Sequence, residues 1–257
     1  MTKIITFANF SYAPIIKKWL KYISLLGLID NVLIIALDNN VKKYIVDYKL
    51  DIITDPFDIA KEGIEKFWEF RCVKFIEIYK RYGTFIHSDL DAIWLKNPFN
   101  YLNLYKYDLI FSQGSVYPRD MYSKFGFVAC CGFFMIRKSN LSTIFLDELL
   151  DNVKVSNDDQ VSVNKFLLKY YESFNFKDIY KNKANLPNGK NFLIKCSNYP
   201  IIGNVKKGNN DLPSFAILPQ KLFTRLKESI NLETIIAHPL APKDNNEKLK
   251  MFEDLNI

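Results

Sequence analysis

Residues 85–98 read FIHSDLDAIWLKNP, and both the fold class and the chemistry turn on them. Phe85 and Ile86 lead an apolar strand into Asp89 and Asp91, and Ile93, Trp94 and Leu95 follow without a turn residue. Side chains two apart on an extended strand point to the same side. Two carboxylates on one side repel each other, and burying them unpaired is costly. A hard divalent cation resolves the conflict, because Mg2+ or Mn2+ prefers carboxylate oxygens and can also hold substrate phosphates. A polar turn with two solvated aspartates is the competing reading of Asp-x-Asp alone. Apolar runs on both sides argue against it, since surface turns are seldom flanked that way. The stretch predicts a metal-bridged diphosphate site at the end of a buried strand.

The segments before it predict a parallel α/β sheet. Ile4–Ala8 is a short buried strand that stops at Asn9, and apolar residues at helical spacing follow from Pro14 to Leu26, with Gly27 as a stop. Val32–Leu37 is a continuous apolar run ending at Asp38, the mark of a central parallel strand. A short helix over 41–48 and one long amphipathic helix over 61–82 lead to the 85–87 strand. This β-α-β-α-α-β order implies a right-handed, doubly wound parallel sheet. Such sheets bind ligands at the carboxyl ends of their strands, where Asn9, Asp38, Asp89 and Asp91 all fall. Further on, 108–112 and 131–137 read as strands and 143–153 and 159–171 as helices. Residues 181–190 carry a Pro-Asn-Gly turn, and 206–211 is a polar loop. The C-terminal piece from Ile235 places His238 at the end of another apolar run. No internal repeat and no long linker divides the chain.

Composition narrows the class. The 257 residues are 49% hydrophobic and 15% aromatic, ample for a packed core. With 35 Lys and Arg against 28 Asp and Glu, the net charge is +7. That suits an anionic ligand, but the basic residues are scattered, so a solvated basic surface is expected and nucleic-acid binding is not. The four cysteines offer no metal-ligand spacing, and Cys130 and Cys131 are adjacent. Without a signal peptide or an apolar run of about 18 residues, the sequence reads as a soluble cytoplasmic protein with no integral membrane segment.

Four stretches in this order resemble the nucleotide-diphospho-sugar transferases of the GT-A fold. They are TFANFSYAPIIKKWLKYISLLGLIDNVLIIALD, FRCVKFIEIYKRYGTFIHSDLDAIWLKNP, CGFFMIRKSN and DDQVSVNKFL. The C-terminal IIAHPLAPKDNNEKLKMF is similar more loosely. The likeness extends to the retaining xylosyl- and galactosyltransferases of glycosyltransferase family seventy-seven. It implies a single α/β domain over 1–257, Rossmann-like with a mostly parallel central sheet. Residues 1–98 would be its nucleotide-binding half, 99–234 its acceptor and sugar half, and 235–257 a metal and phosphate loop with the tail.

The resemblance also implies roles. Asp89 would meet the ribose or the metal, Asp91 would ligate the metal, and His238 would be the third protein ligand, favouring Mn2+ over Mg2+. Thr6, Ala8, Asn9 and Asp38 would line the base and ribose pocket, with small Ala8 leaving room for a uracil. Arg71 and Lys74, three apart on one helix face, are candidates for the diphosphate or sugar. Lys243 and Lys248 are candidates for the phosphate-contacting lysine. Asp159 and Gln160, with Asn164, would lie under the anomeric carbon, Asp159 capping its helix and facing the sugar. His87 falls one step off the Asp-x-Asp face and is expected to pack.

The implied activity moves a sugar (galactose, xylose or glucose) from a UDP-sugar to a hydroxyl on a glycan or protein, with retention. Two routes to retention stay open: an enzyme nucleophile, Asp159 or Gln160, or attack by the acceptor from the leaving-group face. The alternatives are an inactive nucleotide-sugar-binding relative and an Asp-x-Asp phosphohydrolase. The hydrolase pattern wants its motif at the first strand with Thr or Val two residues beyond the second Asp, where this chain has Ile93.

Overall fold

The computed structural model describes residues 2–185, 190–208, 211–240 and 244–255. Its centre is a sheet of nine strands. The first half of the chain supplies β1 (Lys3–Ala8), α1 (Ala13–Leu25), β2 (Val32–Ala36), α2 (Asn39–Tyr44), β3 (Asp51–Thr54), α3 (Ile59–Glu62), α4 (Ile64–Tyr82) and β4 (Phe85–Ser88). A short β5 (Ile93–Trp94) and α5 (Phe99–Leu102) lead to β6 (Leu109–Gln113), α6 (Arg119–Phe125), β7 (Ala129–Ile136), α7 (Asn140–Ser156) and α8 (Asp159–Tyr170). Then come β8 (Tyr171–Asn175), a hairpin of β9 (Ile179–Asn185) and β10 (Asn191–Ser197), β11 (Ile201–Val205), β12 (Phe215–Ile217), β13 (Phe223–Thr224), β14 (Ile236–Ala237) and α9 (Asn245–Asp254).

The sheet order is β3-β2-β1-β4-β7-β6-β12-β11-β8. β3, β2, β1 and β4 run parallel, β7 runs against both β4 and β6, and β6 and β12 are again parallel. From β1 the chain winds outward to β2 and β3, then returns across β1 to lay down β4 on its other side. The carboxyl ends of β1 and β4 therefore form the crevice where the winding reverses, the place where open α/β sheets hold ligands. Alternation splits the core between the two faces. Ile4, Ala8, Val32 and Ile34 pack with Trp19 and Ile23 of α1, whereas Ile5, Leu33 and Ile35 pack with Phe67 and Phe75 of α4.

Three sequence expectations change. The single helix over 61–82 is two, broken at Gly63, whose φ of +92° lies where side-chain-bearing residues rarely go. Asp51–Thr54 is a further parallel strand at the sheet edge, half-buried and too short to show a pattern. The short helix begins at Asn39 because the Asp38 carboxylate accepts from the N–H groups of Asn40 and Val41. The Pro-Asn-Gly turn expected near 187–189, and residues 209–210 of the polar loop, lie outside the described residues.

Candidate active site

β4 ends at Ser88, and the Ala92 N–H donates to the Asp89 carbonyl (3.1 Å), so the chain turns there instead of staying extended. Asp89 and Asp91 sit on this turn. Buried Leu90 and Ala92 anchor it in the core, and Trp94 Nε1 donates to Ser88 Oγ at 2.9 Å. The Asp89 N–H also donates to the Gly132 carbonyl of β7 (2.8 Å), fixing the turn to the middle of the sheet.

His238 arrives from the other side, directly after β14, which pairs with both β13 and β5. Its Nε2 lies 3.1 Å from Asp91 Oδ1 and 3.9 Å from Asp89 Oδ2. One donor atom from each of Asp89, Asp91 and His238 falls within 4.8 Å of the others. Gly132 makes the convergence possible: a Cβ there would lie 2.0 Å from His238 Cε1 and 2.8 Å from Asp89 Oδ2. β7 loses register with β6 in this segment, between Phe111 and Ser112 of the partner, and such irregularities re-aim side chains beside sites. Asn164 of α8 steadies the start of β7. Its Oδ1 accepts from the Ala129 N–H and its Nδ2 donates to the Ala129 carbonyl, both at 2.9 Å.

The electrostatics favour ionised carboxylates at Asp89 and Asp91, whereas burial pushes Asp159 up despite Arg71. Burial disfavours the Asp89 anion, but a hydrogen bond from His87 and the charges of Arg71 and His238 hold it well below the usual range. Asp91 is held low likewise against burial, chiefly by His238 and also by Lys248, whose Nζ is 2.7 Å from Oδ2. Burial and the Arg225 guanidinium resist protonation of His238, yet the Asp91 charge and hydrogen bond outweigh them and raise it to about 9. Burial also opposes the Cys130 thiolate, but Arg225 and a hydrogen bond with His238 bring it down to about 7. Two carboxylates and an imidazole of this spacing, around a glycine that clears the space, fit a hard or borderline divalent cation.

Two cavities meet at this cluster and share Trp68, Arg71, Asp89 and Asp91. The first, about 230 Å³, is walled by Phe7, Tyr12, Phe67 and Ile64, with Asn9 and Lys248 as polar members. The second, about 280 Å³, is lined by Tyr117, Cys130, Asp159, Gln160, Arg225 and His238 among others. Arg71 forms the wall between them. Its guanidinium donates to Asp89 (3.2 Å) and to Asp159, and it lies 4.6 Å over the Trp68 ring. Burial opposes its charge, but Asp159 and Asp89 more than compensate and raise its pKa.

Of the residues expected at the site, Asn9, Arg71, Asp89, Asp91, Asp159, Gln160, His238 and Lys248 line one cavity or both. Others are elsewhere. Ala8 faces the α1 side of the sheet, and Thr6 shares that side by alternation; the residue that reaches the first cavity is Phe7. Asp38 caps α2 and accepts from the Phe10 N–H at 2.6 Å, tying the ends of β1 and β2 together. Lys74 is paired with Asp55 and Glu77, away from both cavities. Asp158, not Asp159, caps α8; Asp159 is the next residue, buried against Arg71. His87 does not merely pack: beyond Ser88 the alternation ends, and its Nε2 reaches Asp89 Oδ1 at 3.1 Å. Lys243 lies outside the described residues. Missed altogether were Phe7, Trp68, Gly132 and Arg225. Trp68 alone had a signal, one helical turn before Arg71.

Residues 27–233 match the family model for nucleotide-diphospho-sugar transferases. No curated protein sequence matches the chain. Among solved structures, the chain is similar to the galactosyltransferase LgtC, crystallised with donor and acceptor sugar analogues. The two share 10% identity over 99% of this chain and 95% of that one, with a TM-score of 0.52, so the fold is of the GT-A type. Weaker likenesses are to the glycosyltransferase GlyE of Streptococcus pneumoniae TIGR4 (14% identity, 67% of this chain, TM-score 0.44) and to mouse xyloside xylosyltransferase 1 (11%, 65% and 82% of the two chains, 0.45). The matched region spans 45% of the length of GlyE. Among the described residues no helix is long and apolar enough to cross a membrane.

Proposed function

We propose that this chain, which belongs to the nucleotide-diphospho-sugar transferase family, moves galactose, xylose or glucose from a UDP-sugar to a hydroxyl of a glycan or protein, with retention and with Mn2+ as cofactor. The observation that carries this reading is the convergence of Asp89, Asp91 and His238 at the junction of two cavities. One junction between two adjoining cavities suits a diphosphate that links a nucleoside to a sugar. The whole chain acts as one domain in this reading, with residues 1–98 as the nucleotide half, 99–234 as the sugar and acceptor half, and 235–257 supplying metal and phosphate contacts.

Asp89, Asp91 and His238 would hold the ion, which when bound supplies positive charge against the departing diphosphate. The first cavity takes the nucleoside: Phe7, Tyr12, Phe67 and Trp68 offer flat apolar walls, and Asn9 offers an amide to hydrogen-bond the base or ribose. Lys248 stands at the boundary and is the lysine that contacts phosphate in this reading, with Lys243 the alternative for that role. The sugar enters the second cavity above Asp159 and Gln160. Gln160 Nε2 donates to the Tyr117 carbonyl at 2.7 Å, so the segment bearing half-exposed Tyr117 is placed to receive the acceptor.

The transfer breaks the bond between C1 of the sugar and a β-phosphate oxygen and forms one between C1 and the acceptor oxygen. The acceptor proton passes to the departing phosphate. The Arg71 ion pair supports this same-face route, because a carboxylate held by a buried guanidinium is a weak nucleophile. Asp159 and Gln160 then orient the sugar without attacking it.

The test is Mn2+-dependent release of UDP from a panel of UDP-sugars, with and without sugar acceptors. The wild type is expected to turn over at least one donor, and Asp91→Asn to lose that activity with an unchanged fold by circular dichroism. Full activity in Asp91→Asn would remove the metal assignment.

A further inference from the structure

Among the described residues, one cation of the second cavity has no carboxylate partner. Arg225 follows β13 and His238 follows β14, and these strands pair in parallel with Thr224 beside Ala237. The register continues past them, as the His238 N–H donates to the Thr224 carbonyl (2.8 Å) and the Leu240 N–H to that of Arg225 (3.0 Å). The two side chains are therefore held shoulder to shoulder. Arg225 Nη1 lies 2.6 Å from His238 Nδ1 and 2.9 Å from Nε2. Arg225 Nε is shielded from solvent and meets no acceptor.

The cavity's carboxylates are already engaged. Asp89 and Asp159 face Arg71, Asp91 faces His238 and Lys248, and Asp158 caps α8. Among the described residues none ion-pairs with Arg225. A part-buried guanidinium against the protonated ring of His238 is unfavourable without an anion close by. The cost grows when a divalent cation displaces the His238 proton, because Arg225 then borders a doubly charged ion instead of a singly charged ring. The Cys130 thiol beside them ionises only in part near neutral pH, so a bound anion lying between them relieves both more fully. Sugar and acceptor hydroxyls are neutral, whereas a nucleoside diphosphate carries its charge where the two cavities join.

We propose that Arg225 is a diphosphate-binding residue that takes the terminal phosphate from the second cavity, facing Lys248, which approaches from the first. This rests on the nucleotide-sugar reading above and deepens it. The leaving group would be held from two sides by cations from the C-terminal third of the chain. A coupling follows: Arg225 opposes the metal ion bound alone and favours it once the diphosphate is present, so each raises the affinity of the other by the same factor.

The test is calorimetric binding of Mn2+, UDP and UMP to the whole chain, as wild type, Arg225→Gln and Arg225→Lys. Arg225→Gln is expected to bind Mn2+ alone about fivefold more tightly, from the like-charge repulsion removed. With saturating Mn2+ it is expected to bind UDP roughly 10- to 100-fold more weakly, the range for one charge-assisted contact. UMP, which lacks the second phosphate, should stay within about twofold of wild type. Arg225→Lys should recover part of the UDP affinity, and it carries the same comparison if Arg225→Gln melts far below wild type. Equal losses for UDP and UMP, or wild-type values for both, would overturn the inference while leaving the nucleotide-sugar reading standing. Absence of any Mn2+-dependent UDP binding by the wild type would overturn that reading and this inference with it.

Discussion

Gly132→Ala adds one methyl group at the point where the site is assembled. The new Cβ would stand 2.0 Å from His238 Cε1, 2.5 Å from Nδ1 and 2.8 Å from Asp89 Oδ2. Ordinary van der Waals contact begins near 3.4 Å, so the His238 ring must retreat by more than an ångström. Its retreat is resisted by Arg225 on one side and by β13 and β5, which fix β14 through backbone pairing. The three donor atoms, within 4.8 Å of one another in the wild type, can no longer converge. Overpacking a buried site costs about 1–3 kcal/mol of stability, small enough for a domain of ordinary stability to remain folded. Disturbing a ligand's support costs about 10- to 100-fold in metal affinity, and misplacement by about an ångström costs on the order of 100-fold in rate. Urea unfolding separates the two effects. The expected result is a folded variant, destabilised by 1–3 kcal/mol, whose calorimetric Mn2+ affinity falls at least tenfold and whose UDP release drops further. A variant with wild-type Mn2+ affinity and activity would show that His238 and Asp89 do not act together.

The metal-free His238 holds a proton up to about pH 9, and a metal ion must displace it. Mn2+ affinity measured at pH 6, 7 and 8 should therefore rise towards tenfold per unit, with one proton released; a flat profile contradicts the assignment. Arg71→Met leaves Asp159 buried without its partner, so urea unfolding should report a loss of about 3–5 kcal/mol; a loss under about 1 kcal/mol would mean that the pair is dispensable. Asn164→Ala strands the Ala129 N–H and carbonyl in the core, at about 1–3 kcal/mol for each unsatisfied group. Faster amide exchange confined to the start of β7 would accompany it, and an unchanged exchange pattern would refute the clamp.

Much of the frame was legible in the sequence because burial and period coincide there. β1, β2 and β4 are apolar runs that end on polar residues, and their ends hold Asn9, Asp89 and Asp91 in the crevice as expected. His238 was legible for the same reason, as a polar residue closing an apolar run. The failures have local causes. Parity along β1 was assigned one residue out: Thr6 and Ala8 face α1, and the bulkier Phe7 fills the position expected to be small. Strand alternation was carried past Ser88, which hid the contact of His87 with Asp89. Asp158 and Asp159 are both good capping residues, and only the Arg71 contact distinguishes them. Lys74 and Arg71 share a helix face, but neighbouring Asp55 draws the lysine away. Gly132 and Arg225 carried no signal, because their importance arises from what the sheet register sets beside them.

The most direct test of the central claim is a crystal of the chain grown with Mn2+ and UDP, with anomalous diffraction collected at the manganese edge. The account expects one strong peak about 2.0–2.2 Å from donor atoms of Asp89, Asp91 and His238, with the UDP phosphates on its open side and the nucleoside between Tyr12 and Trp68. A nucleotide bound in that crevice with no anomalous peak among the three side chains would contradict it.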